Sequence, residues 1–264
     1  MAICAFCRED RRLTKEHVIP AFVLRFLSRL GDGKASGWVE VAQKSLSSDS
    51  VVRDVCAPCN NEVLGELDSY GKSCLEKAGL LTPNYSSTSL DLFYNHDLLL
   101  RWLLKISFNA ARTTGSAAMM LEEFIPFILG RTGAPSRTSL FVLASLAAPM
   151  SPEDRRLIVP EFEDLIDRHV KFNPFLFRIS NGYLGQECAI RSIFMGALSF
   201  HLVLPTGATT PGGARILSRS IAKQLGAVEL LPASKFVQVN AGPRSWVDLW
   251  TAQLLRQANI ERRS

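Results

Sequence analysis

The chain has 264 residues, 47% of them hydrophobic and 21% charged, which is enough apolar content for one large domain or for a small module joined to a larger one, and which excludes a disordered protein. Lys plus Arg number 30 against 25 Asp plus Glu; the net charge of +5 favours a polyanionic partner without requiring one. No signal-peptide core opens the sequence and no apolar run reaches the roughly eighteen residues that a bilayer demands, so a cytoplasmic protein with reduced thiols is expected.

Taken in chain order, the first feature is the pair Cys4 and Cys7, spaced C-x-x-C. LTKEHVIP follows, a short strand that places Glu16 beside His17 and ends at Pro20. From Ala21 to Arg53 the chain runs through FVLRFLSRLG, with Val23, Phe26, Leu27 and Leu30 at helical spacing, and then a strand-like WVEVA. Arg25 and Arg29 lie four apart on that helix, with Lys15 not far away. They suit a phosphate backbone, although a solvated face is the commoner use of such a pair. The second C-x-x-C pair, Cys56 and Cys59, comes next. NNEVLGELDSYGKSCLEKAGL then carries Leu64, Leu67, Leu75 and Ala78 at helical intervals, and on another face of the same helix Asn61, Gly65, Asp68 and Lys72 fall together.

Four thiolates in two C-x-x-C pairs can close a tetrahedral Zn²⁺ site, because each pair sets two sulfurs on one tight turn. A closed Cys₄ set is structural and leaves no open position for chemistry. A redox role would need one pair opening a helix after a strand, a context that neither pair has. Cys74 and Cys188 are unpaired in this pattern and read as small buried hydrophobes.

TPNYSSTS at 82–89 reads as a linker. It divides the chain into a zinc-stapled module over residues 1–81 and an α+β domain over residues 90–264. The second region opens with a helix in FYNHDLLLRWLLKISFNAAR and another in AAMMLEEFIPFILG, broken near Pro126. Strands are expected in SLFVLASL, FLFRI, AIRSIFMGALSFHLVL and KFVQV, and a final helix in SWVDLWTAQLLRQA with Ser245 as its N-cap. His96, His169 and His201 have no chemical neighbours in sequence and read as structural or surface histidines.

The combination of C-x-x-C, EHVIP and C-x-x-CNN, spanning roughly residues 4 to 72, resembles the HNH, or ββα-metal, endonuclease family, in the branch stapled by a Cys₄ zinc. The resemblance implies that His17 is the general base that deprotonates the attacking water, a task suited to an imidazole near neutral pH. It implies that Glu16 and Asn60 hold a catalytic Mg²⁺ or Mn²⁺, for which oxygen ligands are appropriate, with Asn61 and Asp68 as further candidates. Two positions depart from the family pattern: the middle asparagine that orients the histidine has Val51 or a neighbour in its place, and the third histidine is replaced by Asn60. The expected activity is hydrolysis of phosphodiesters in nucleic acid, DNA before RNA, with Lys15, Arg25, Arg29 and Lys72 as backbone contacts. The C-terminal domain would select substrate or a protein partner. The family also suggests a bacterial restriction or anti-phage role. The alternative is a catalytically silent zinc module that binds nucleic acid or protein.

Overall fold

The structure, a computed structural model, describes residues 2–30, 36–39, 44–47, 51–82, 85, 87–113, 119–146, 177–184, 188–205 and 209–245. At the N-terminus β1 (Ala2–Ile3) pairs antiparallel with β2 (Asp10–Arg11), and the first cysteine pair lies in the turn between them. That turn closes through Arg8 N–H donating to Cys4 O at 3.0 Å, with Arg8 in the left-handed region at φ 63°. β3 (Leu13–His17) pairs antiparallel with β6 (Val51–Cys56), and the register shifts between Thr14 and Glu16. β6 leads into a π-helical turn, Cys59–Leu64, continued by α2 (Gly65–Lys77), so two strands and a helix follow the order of the cysteine pairs.

The long excursion between β3 and β6 contains α1 (Ala21–Leu30), which buries Phe22, Val23, Phe26 and Leu27 and exposes Arg25 and Arg29. It also contains β4 (Ser36–Val39) and β5 (Lys44–Ser47), a hairpin that joins the large sheet of the C-terminal region rather than the β3–β6 ribbon.

After β7 (Ser89–Phe93), α3 (His96–Arg112) starts at Asn95, whose side chain accepts from Leu98 N–H at 3.1 Å. Nearly every side chain of α3 is buried, including Lys105 and Asn109. The expected helix broken near Pro126 is two short ones, α4 (Met119–Glu122) and α5 (Ile125–Ile128). Pro126 sits in the first turn of α5, where its missing N–H leaves no bond unmade, so the break falls ahead of the proline.

The expected strands appear as β8 (Ser139–Leu146), β9 (Phe177–Leu184), β10 (Cys188–Met195), β11 (Leu198–Pro205) and β13 (Phe236–Ser245), with a short β12 (Val228–Glu229). Among the described residues they form a nine-stranded sheet of order β5-β4-β9-β10-β11-β8-β13-β7, with β12 beside β8. Its pairs are antiparallel except β4–β9 and β8–β13. α6 (Pro211–Leu225), absent from the sequence reading, begins at Thr210, whose hydroxyl accepts from Gly213 N–H, and stops at Gly226 with φ 67°. Those residues are the helix-start and helix-stop signals in their preferred places. His169 and the expected helix beyond Ser245 lie outside the described residues.

The chain is thus mixed α+β, and the expected division at 82–89 does not divide the packing. One continuous core holds Cys4, Phe6 and Leu67 of the N-terminal part together with Trp102, Phe108, Phe200 and Val239. The closest approach is at Gly71 of α2, where a Cβ would meet the Trp102 ring at 2.2 Å; only glycine lets α2 and α3 come this near.

Candidate metal centre and histidine site

The sulfurs of Cys4, Cys7, Cys56 and Cys59 lie within 4.8 Å of one another. The turn between β1 and β2 carries the first pair, while the end of β6 and the π-helical turn carry the second. Ala5 N–H donating to Asp54 O at 2.7 Å ties the two halves. A tetrahedron with metal–sulfur bonds of about 2.3 Å has edges of about 3.8 Å, and Cys7 Sγ stands 3.7 Å from Cys56 Sγ. Burial pushes the Cys4 thiol up, but backbone amides of Cys56, Cys7 and Phe6 outweigh it and bring the group to about 7. One of these, Cys56 N–H, lies 3.3 Å from Cys4 Sγ. Burial and the neighbouring sulfurs hold the Cys59 thiol far above its ordinary range. Four sulfurs at this spacing could hold a metal ion, and the donor set suits a closed structural ion such as zinc. Cys74 and Cys188 are buried, free and remote from this cluster, and burial raises both thiols.

Glu16 and Asp68 do converge, but on an ammonium. Lys105 Nζ, fully buried on α3, lies 2.7 Å from Glu16 Oε1 and 2.8 Å from both Asp68 oxygens. Trp102 Nε1–H donates to Asp68 Oδ1 at 3.0 Å, and Asn109 Nδ2 donates to Glu16 Oε1 at 2.9 Å. Burial alone would lower the Lys105 pKa; the two carboxylates reverse that and raise it. Arg112, one helical turn further along α3, donates to Asp54 Oδ1 and Asn109 Oδ1, both at 2.6 Å, and lies over the rings of Phe6 and Phe108. The cysteine knuckle is docked on the same helix. This arrangement does not fit a divalent ion held by Glu16 and Asp68, because their oxygens already surround a cation.

His17 ends β3 half-buried, and among the described residues its ring has no hydrogen-bond partner. Its carbonyl accepts from Asn109 Nδ2 at 3.1 Å. Asn60 donates through Nδ2 to Thr14 Oγ1 at 2.9 Å and to Lys15 O at 2.8 Å, which clamps the π-helical turn onto β3 two residues from His17. Asn60 Oδ1 and the exposed side chain of Asn61 are therefore the oxygens of the predicted set left free. Lys15 is exposed on β3. Arg25, Arg29 and Lys72 come together elsewhere, along one groove between α1 and α2. The other described histidines have structural surroundings: His96 begins α3, and His201, between Ser192 and Ser199, is held near 4 by burial.

Sequence reading missed Lys105, Asn109 and Arg112. Their signal was present: three polar residues at i, i+4 and i+7, one face of an otherwise apolar helix.

Fold and site together define an α+β protein with a four-cysteine cluster that could hold a metal ion beside a strand–strand–helix unit. Comparison of the chain with protein-family models, with curated proteins and with solved structures finds no match. Among the described residues no helix is long and apolar enough to cross a membrane.

Proposed function

We propose that the chain is an HNH-type endonuclease that hydrolyses phosphodiester bonds of nucleic acid, with His17 as the base that takes a proton from water. The observation that carries this reading is the placement of an unpartnered imidazole at the end of β3, the strand that pairs with β6 next to the four-cysteine cluster and that Asn60 clamps two residues away. A neutral imidazole can accept the proton, and the clamped Asn60 would help position a phosphate or a hard Mg²⁺ or Mn²⁺ brought with it. Glu16 then serves as a buried anchor of β3. Cleavage of DNA and RNA panels with added Mg²⁺ or Mn²⁺ tests the reading: His17→Ala should lower the rate by roughly 10²- to 10⁴-fold while zinc content is kept. Equal cleavage by both proteins, or none by either, overturns it. A restriction or anti-phage role belongs to the same proposal and rests on the motif alone.

One observation favours a second reading, a zinc module that binds nucleic acid without cutting it. Lys105 fills the place between Glu16 and Asp68 where a metal would be expected. Binding that is indifferent to His17→Ala, with no cleavage, is its signature.

A further inference from the structure

We infer that the groove between α1 and α2 is a track for the phosphate backbone of a nucleic acid. This rests on the nucleic-acid reading above but not on catalysis. The groove has a volume of about 530 Å³ and is open to solvent. Phe22, Phe26 and Leu81 form part of its lining, and Arg25, Arg29, Lys72 and Glu76 bring charge to it. Arg25 and Arg29 are exposed, one helical turn apart on α1, and among the described residues neither guanidinium has a partner. Lys72 faces them from α2 and is held only by Glu76, at 3.3 Å between two half-exposed side chains. Three cations therefore share one carboxylate.

The floor of the groove is packed from below. Phe22 stacks on Trp102 at 6.3 Å between ring centroids, and Trp102 in turn donates to Asp68. The two cationic walls stand on separate helices, so each can meet a phosphate. A linear polyanion satisfies all three cations at once, whereas a single phosphate would leave at least one unmet. α1 starts four residues after His17, and Lys72 lies one helical turn beyond Asp68, so both walls spring from the elements that carry the candidate site.

The test is binding of labelled 20-mer duplex DNA and of single-stranded RNA, measured by anisotropy over a salt series without added divalent ions. For Arg25→Gln/Arg29→Gln, the slope of log K against log salt should become shallower by about 1.8 on duplex DNA, with affinity at moderate salt falling on the order of ten-fold. Glu76→Gln should tighten binding, a gain that a folding defect cannot produce. Arg215→Gln/Arg219→Gln on α6 removes the same charge from another exposed helix face and should leave the slope unchanged. The inference is overturned if wild type binds neither nucleic acid, if the α1 variant keeps the wild-type slope, if the α6 variant loses as much, or if Glu76→Gln weakens binding. Binding with the expected slopes but no His17-dependent cleavage would sink the nuclease reading and leave the groove standing. Cleavage with unaltered slopes would do the reverse.

Discussion

Lys105→Met is the perturbation that most directly probes how this protein is held together. The ammonium makes three contacts of 2.7–2.8 Å with Glu16 and Asp68, and methionine fills nearly the same volume without the charge. Removing one partner of a buried ion pair costs about 3–5 kcal/mol, because the remaining charge is left uncompensated. Two features pull this case to the low end: the Asp68 side chain is 24% exposed and so partly screened, and Glu16 keeps the Asn109 amide. A loss of about 3 kcal/mol at neutral pH is expected from urea unfolding followed by circular dichroism. Adding Glu16→Gln should recover a good part of it, since a neutral amide no longer needs the cation. The sign with pH is also fixed. Lys105 has a folded pKa raised above its unfolded value, so its contribution is complete below about 10.4 and is lost as pH rises through the higher folded value. Lys105→Met within about 1 kcal/mol of wild type, with no coupling to Glu16→Gln, would refute the account.

Other outcomes follow from the same structure. The purified chain should carry a single thiolate-bound zinc, lost in Cys4→Ser or Cys59→Ser. Because such binding is worth on the order of 10 kcal/mol in small zinc domains, chelation should unfold the β1–β2 knuckle first, seen as early exchange of Cys4–Arg11 amides. His201, held near 4 while free histidine titrates near 6.5, binds its proton first in the unfolded chain. Stability should therefore fall as pH drops from about 6.5 to 4, by up to roughly 3 kcal/mol, and His201→Gln should flatten that slope in acid urea titrations. Gly71→Ala, which drives a methyl into the buried Trp102 ring, should cost at least 1–3 kcal/mol in the same unfolding assay.

What was legible in the sequence was whatever a short window encodes. The two C-x-x-C pairs, the strand at Leu13–His17, α1, α2 and α3, and strands β8, β10 and β11 all come from local spacing. The linker expected at 82–89 rests on composition, which reports turn propensity but not packing; α3 beyond it shares its core with the cysteine knuckle. WVEVA reads as strand-like on sequence, yet β4, which begins at Ser36, pairs with β9 far along the chain, and pairing across such a distance leaves no local trace. On sequence Asp68 is one of several polar residues on a helix face, whereas its partners, Trp102 and Lys105, come from another helix. The π-helical turn, from which Asn60 reaches back to β3, starts at Cys59 of the four-cysteine cluster and ends against Gly65, where a Cβ would stand 3.3 Å from Asn60 O.

Asn109 holds the backbone that carries Glu16 and His17. The second strand offers His17 no asparagine, and the one that reaches its carbonyl comes from α3. Asn109 Nδ2 spans Glu16 Oε1 and His17 O, and its own Oδ1 is held by Arg112, which reaches on to Asp54 of β6. Both strands of the ribbon are thereby tied to one helix, through a buried amide at Glu16 and His17 and a half-exposed ion pair at Asp54. The inward residue of the Glu-His pair anchors the strand. The outward one keeps a free ring on a backbone held from behind. Under the proposed function the acidic residue would serve stability and the histidine chemistry, and α3, beyond the 82–89 segment, is part of the framework that holds both.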